Sequence, residues 1–438
     1  LLPLAACGGS PAPPPVVLIG VDGLEWQVLE PLLAAGELPA LADLAARGSA
    51  GLLSTLEPTL SPAIWTTIAT GKPPQEHGIV NFAALEGERL RLLTNRDRRT
   101  KALWNVATDA GRSSCVIGWW MTFPAERIDG VMVAQTNTLR QLAVAYGRAI
   151  WKGRLVRGLP GQVYPPQRQD EIMAVAAAVE SDLDRRMEDV FGVFPHPLRE
   201  LERRLWDNTR WTFRADAIYA AIARRLLDQG TECELLMVYF GGPDVVGHRF
   251  WRYYRPELFA HRPSAEELAN FARVIPDYYR YVDRLIGDLV SRLDPRARVI
   301  VVSDHGMHAV NVDQRFDRDR PPADVNSGNH QDAPPGVIFA AGADLAQRPL
   351  PAAGRPPVAG SVLDLTPTVL ALLELPIGRD MKGEILRTLL APGFLQRHPP
   401  AYVATHDSRR WLAERPQQLL DPAVEQERLE QLRALGYL

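Results

Sequence analysis

Three short apolar runs in this chain each deliver a carboxylate at or just beyond their end. VVLIGV (16–21) is followed by Asp22. LLMVYF (235–240) leads to Asp244, with His248 four residues on. VIVVS (299–303) leads to Asp304 and His305. Short β-branched runs bounded by turn residues read as buried parallel strands. Open α/β sheets build their sites beyond the carboxyl ends of their strands. Three strands carrying acids and imidazoles to one edge predict a metal site, one suited to two ions.

Helical patterns separate these runs, which implies a mostly parallel sheet in an α/β fold. The ordered chain is expected to begin at Val16. Residues 25–48 and 61–71 read as helices, CVIGWW (115–120) and VMVAQ (131–135) as strands. Residues 137–232 break the rhythm, being rich in Arg, Leu, Ala and Glu with helical spacing. Their first part, about 137–215, reads as an inserted helical cap or as plain scaffold. Residues 316–332 read as an exposed loop, GVIFAAG (336–342) as a further strand and 363–375 as a helix. Together these make 16–400 one catalytic domain. Residues 401–438 form a C-terminal tail, in which Leu429, Leu432 and Leu435 have the spacing of a helix packed on the core.

A hydrophobic fraction of 46% suits a globular protein. A net charge of −3 argues against a nucleic-acid binder built on bulk charge, so no nucleic-acid polymer is expected as partner. No apolar run reaches the roughly 18 residues that span a bilayer. Three cysteines cannot make a disulfide framework. Cys115 and Cys233 are expected as buried free thiols, with a bridge between them as the alternative in an oxidising compartment. Leu4-Ala5-Ala6-Cys7 resembles a bacterial lipobox, and Gly8 to Pro15 a proline-stiffened tether. Residues 1–15 are therefore expected to be a signal remnant and tether. A lipidated Cys7 would anchor the protein to a membrane outside the cytoplasm without spanning it.

Asp244 and His248, four residues apart, share one face of a helical turn and could grip one ion. Asp304 and His305 sit where a strand ends and the backbone turns. His330, in the loop SGNHQD, would complete a three-ligand set with Asp244 and His248. Ser61 precedes Pro62 and reads as the N-cap of a helix. A hydroxyl there is placed for phosphoryl chemistry, because free helix N–H groups favour anionic oxygens. Thr59, Thr66 and Thr67 are rival hydroxyls.

These pieces have a common resemblance. VLIGVDGL (17–24), TLSPAIWTTIATGKPPQEHGI (59–79), YFGGPDVVGH (239–248), VVSDHGM (301–307) and SGNH (327–330) resemble the type I phosphodiesterase/nucleotide pyrophosphatase family of the alkaline phosphatase superfamily. LDLTPTVLALLELP (363–376) adds to the match. The resemblance implies a three-layer, alkaline-phosphatase-like sandwich with a helical insertion. It implies two divalent ions, most suitably zinc, with manganese or iron as alternatives. Asp244, His248 and His330 would hold one ion. Asp22, Asp304 and His305 would hold the other, with Ser61 as nucleophile bridging to it. The family commonly has Thr at that position. Asn81 falls one position from an Asn that contacts the phosphoryl group. Ser61-Pro62-Ala63-Ile64-Trp65 lacks the pattern of the sulfatase branch.

The expected activity is hydrolysis of a phosphodiester or related phosphoester through a phosphoseryl intermediate. Within the superfamily the alternatives are a phosphomonoesterase or a phosphotransferase. Outside catalysis, the alternative is a lipoprotein that binds a phosphorylated ligand. Arg249, Trp251 and Arg252 flank the metal motif and either face substrate or pack within the helix.

Overall fold

The computed structural model describes residues 13–86, 89–135, 139–145, 148–153, 161–315, 326–348, 350 and 354–414. Most of the expected tether, the tip of the 316–332 loop and the tail beyond 414 lie outside them.

The apolar runs become strands of one sheet. In chain order these are β1 (Val16–Val21), β2 (Ser49–Ser54), β3 (Ser114–Ile117), β4 (Gly130–Val133), β5 (Val163–Tyr164), β6 (Leu235–Phe240), β7 (Arg298–Val302), β8 (Gly336–Ala341) and β9 (Val358–Ser361). Their order across the sheet is β9-β2-β8-β7-β1-β6-β3-β4-β5. The five central neighbours β7, β1, β6, β3 and β4 run parallel. β8 is antiparallel to both β7 and β2. Every residue of β1, β6 and β7 is buried, as expected of parallel strands covered on both faces.

Alternation along β1 divides the core. Val17, Ile19 and Val21 join one apolar cluster, Val16 and Leu18 the other. The first face is covered by α1 (Trp26–Ala34), α2 (Pro39–Ala46), α6 (Gln169–Ser181), α7 (Leu183–Phe191), α8 (Glu200–Asp228), α9 (Gly242–Tyr254) and α11 (Val274–Val290). The second carries α3 (Ser61–Thr70), α5 (Leu103–Asp109) and α12 (Leu365–Leu372). The result is a three-layer α/β sandwich.

Several sequence expectations change. Residues 25–48 form two helices rather than one, because the chain turns at Gly36. Residues 137–232 do not start as helix: Leu139–Ala145 and Arg148–Gly153 pair as an antiparallel hairpin. Cross-strand pairing supplies the order there, and the Arg- and Ala-rich composition does not announce it. Further on, Ile172, Ala176, Val179, Leu183, Met187 and Phe213 are buried in the same core as β1.

Cys115 and Cys233 are not free thiols but a disulfide, with Cα atoms 5.4 Å apart. The register explains this. Cys115 pairs with Leu236 on adjacent strands, so Cys233 emerges beside it just before β6 begins. The Cα separation falls within the range a disulfide spans without moving the backbone.

Candidate active site

β7, β1 and β6 are adjacent and end level. Val21 lies opposite Phe240, and Gly20 opposite Val302. The residues that follow these ends therefore meet at one edge. Asp22, Asp304 and His305 are buried there, 2% exposed or less. His305 Nε2 lies 3.2 Å from Asp22 Oδ1 and 3.3 Å from Asp304 Oδ2. Asp244, in the first turn of α9, sits with Oδ1 3.3 Å from His248 Nε2 and 3.9 Å from His330 Nε2.

Two groups of buried side chains could each hold a metal ion. One is Asp22, Asp304 and His305; the other is Asp244, His305 and His330. His305 stands in both. His248 is in neither group and flanks Asp244 instead.

The donor chemistry suits a cation. Asp22 Oδ1, Asp244 Oδ1, Asp304 Oδ2 and His305 Nε2 are all buried without a hydrogen bond. Buried polar atoms rarely stay unsatisfied unless something else is meant to meet them. His248 Nδ1 lies 2.9 Å from the Gly328 carbonyl, and His305 Nδ1 3.0 Å from that of Gly306. A carbonyl only accepts, so each Nδ1 carries a proton and leaves Nε2 as the ring nitrogen turned inward. Left to balance their own charge, the carboxylates gather protons. Burial, then the neighbouring Asp22 charge, raises the Asp304 carboxyl well above its ordinary range. Burial pulls the His305 imidazole down, but Asp304 and Asp22 outweigh it and lift it to about 10. Burial lowers His330 to about 2. Crowded carboxylates of this kind call for positive charge among them.

Residues around the edge hold it in place. Asp22 Oδ2 accepts from Tyr239 OH at 2.6 Å and from Trp65 Nε1 at 3.0 Å. A Cβ on Gly20 would meet the Trp65 ring at 2.5 Å, so glycine lets the indole cross β1 to reach Asp22. Glu25 links two loops, accepting from Gln27 N and Met307 N, each at 3.0 Å. Trp65 could have been suspected from its i+4 spacing from Ser61. Tyr239 and Glu25 carry no such signal.

Ser61 is 5% exposed and occupies the first helical position of α3, whose N-cap is Leu60 rather than Ser61. Trp65, four residues on along the same face, touches Asp22, while the backbone of Thr59 interacts with His330. Residues on either side of Ser61 in the chain thus reach both ligand groups. Its rivals are occupied. Thr66 and Thr67 donate to the carbonyls of Pro62 and Ala63, and Thr59 to Leu56 and Glu57. Ser61 Oγ has no hydrogen-bond partner among the described residues. Asn81 is half-buried and spends Oδ1 on its neighbour Phe82 N at 2.7 Å, outside both ligand groups. Arg249, Trp251 and Arg252 are buried in the packing of α9.

Behind α3 lies α4 (Pro74–His77) with a fully buried histidine. His77 Nδ1 accepts from Ile79 N at 3.1 Å, and Nε2 lies 3.0 Å from Thr67 Oγ1. Burial lowers this imidazole to about 3. The unfolded chain takes up a proton near pH 6.5 that the folded chain refuses until about 3. The stability from neutral His77 is thus present above pH 6.5 and lost as pH falls, at up to about 1.4 kcal/mol per unit. Urea unfolding at pH 7 and pH 5 is expected to show this loss, and His77→Gln to reduce it. Equal pH dependence in both proteins would contradict it.

The family model described as type I phosphodiesterase / nucleotide pyrophosphatase matches residues 16–343. No curated protein sequence matches the chain. Among solved structures, the chain is similar to a phosphonoacetate hydrolase from Sinorhizobium meliloti 1021 in complex with phosphonoformate. The identity is 18% and the TM-score 0.40, over 68% of this chain and 57% of that one. It is also similar to a 2-O GAG sulfatase, at 12% identity and a TM-score of 0.47, over 86% of this chain and 73% of that one. The chain thus spans less than two thirds of the hydrolase's length. A match from the first strand through every acid and imidazole at the sheet edge means that this chain belongs to the type I phosphodiesterase/nucleotide pyrophosphatase family.

Proposed function

We propose that the chain hydrolyses a phosphodiester or related phosphoester at a two-metal site, with Ser61 as nucleophile. The observation that carries this reading is the pair of buried ligand groups beside the start of α3. Asp22, Asp304 and His305 would hold one ion, and Asp244, His248 and His330 the other. His305 lies between the two. Zinc suits three carboxylates and three imidazoles, and manganese or iron is compatible. Bound ions of this kind act as Lewis acids, lower the pKa of a bound hydroxyl and neutralise oxygens on phosphorus.

The chain's own residues supply the rest. Ser61 Oγ loses its proton and bonds phosphorus as the bond to the leaving alcohol breaks, the proton leaving with that alcohol. Water then cleaves the Oγ–P bond, releasing the phosphomonoester and restoring the hydroxyl. Trp65 and Tyr239 fix one oxygen of Asp22, so the other keeps a single direction. Asn81 Nδ2 is the group through which that residue would reach a phosphoryl oxygen.

We also place the protein outside the cytoplasm, anchored through a lipidated Cys7 beyond the described residues. The Cys115–Cys233 bridge supports an oxidising compartment.

The test is to measure bound metal and to compare hydrolysis of bis-p-nitrophenyl phosphate and p-nitrophenyl phosphate. Two ions per chain and faster turnover of the diester are expected. Faster turnover of the monoester would reassign the substrate class. No metal and no turnover of either ester would overturn the reading.

A further inference from the structure

We infer that Asp216 is a positioning residue, one that sets the metal affinity of the site containing Asp244 and His248 while sparing the other. This rests on the function proposed above. Asp216 lies on α8, in the stretch 137–232 that matches no motif.

Asp216 is 1% exposed, and both its oxygens are occupied. Oδ1 accepts from Gly241 N at 2.9 Å. Oδ2 accepts from Gly242 N at 3.0 Å and from Tyr278 OH at 2.9 Å. Neither oxygen is left to bind an ion, so Asp216 is not a ligand. Its partners, however, are the two residues that turn the chain from β6 into α9.

A helix start leaves its first N–H groups without intrahelical partners. At α9 the accounting is complete. Gly241 and Gly242 donate to Asp216, Pro243 has no N–H, and Asp244 N donates to the Asp22 carbonyl at 3.0 Å. The backbone that carries Asp244 is therefore pinned at two points. One is a residue of the opposite ligand group, the other is Asp216. A carboxylate at a helix N-terminus also favours the helix dipole. The fit is close: a Cβ on Gly242 would lie 1.9 Å from the Tyr278 hydroxyl.

The effect should be confined to one ion. Asp304 and His305 follow β7, and Asp22 meets the turn into α9 only through its backbone carbonyl, not through a carboxylate oxygen. Asp244 and His248 both ride on α9. Residues that orient ligands from behind typically change metal affinity by about 10- to 100-fold when replaced.

The test is zinc titration of the chelator-stripped full chain, with competition from a chromophoric chelator and elemental analysis of stoichiometry. Wild type is expected to bind two ions. Asp216→Asn places an amide against two backbone N–H groups. It is expected to bind one ion as wild type does and the second about 10- to 100-fold more weakly. Tyr278→Phe keeps both backbone bonds and is expected to weaken the same ion about three- to tenfold. If Asp216→Asn does not fold, Tyr278→Phe decides alone. A lowered melting temperature with both affinities unchanged would make Asp216 structural only and overturn the inference. A wild-type chain that binds no zinc would overturn the proposed function itself, a distinct outcome.

Discussion

Replacing Ser61 with alanine is expected to slow turnover of bis-p-nitrophenyl phosphate by at least about a thousandfold, roughly 4 kcal/mol of barrier. The substitution removes the atom proposed to form the covalent intermediate, and the nearby threonine hydroxyls are already engaged. Thr66 and Thr67 are bound to helix carbonyls, and Thr59 is bound within its own turn. The fold should survive, because Leu60 rather than Ser61 is the N-cap and no cap bond is lost. Metal content should stay at the wild-type value, since the acids and imidazoles remain. Ser61→Thr, which restores the hydroxyl, is expected to keep activity within about tenfold. The check is steady-state kinetics of all three proteins with metal analysis of each. Wild-type rates in Ser61→Ala would leave the metal groups standing and remove the nucleophile.

Loss of the disulfide is expected to cost about 2–5 kcal/mol of stability while leaving turnover at 25 °C within about twofold. The bridge joins residues 118 apart in sequence, and the entropy a cross-link removes from the unfolded chain grows with the loop it closes. That places the cost toward the upper part of the range. Cys115 lies in β3, and Cys233 precedes β6 at the end of the sheet opposite the metal ligands. Its removal weakens the sheet far from the chemistry. Cys115→Ala/Cys233→Ala is the cleaner variant than Cys→Ser, because Cys115 is fully buried and a serine hydroxyl there would need a partner. Denaturant unfolding of the double variant alongside its kinetics is the measurement. Unchanged stability would remove the bridge as a stabilising element, and a large loss of turnover would mean that strain reaches the site.

The central strands were legible because burial on both faces forces short continuous apolar runs. Helix α3 was equally plain, with Ser61-Pro62 at its start and Gly71 at its stop. What escaped depends on pairing across space. The hairpin Leu139–Gly153 draws its order from its partner strand, and local composition points the other way. The Cys115–Cys233 bridge needed the order of β3 beside β6, which no spacing in the chain reveals. Asp22, Asp304 and His305 stood out at strand ends, Asp244 and His248 by their four-residue spacing, and His330 only as a loop residue that could complete a set. The central place of His305, and the flank position of His248, depend on side-chain angles. Asp216 was invisible for a simpler reason. An aspartate in a helix looks like solvated surface until the turn it holds is seen.

β1 precedes the other strands of its sheet in the chain, yet it lies at the centre of that sheet, between two strands that follow more than 200 residues later. Until β6 and β7 emerge, VVLIGV has apolar faces without cover and backbone edges without partners. Such a segment invites non-native association, and late long-range pairing slows folding. A cell making this protein must therefore keep its first strand waiting. The sheet edge that gathers Asp22, Asp244 and Asp304 can form only once β7 has been synthesised. Capture of the proposed ions would then wait for β7 and His330, and a chain stalled before them would be inert.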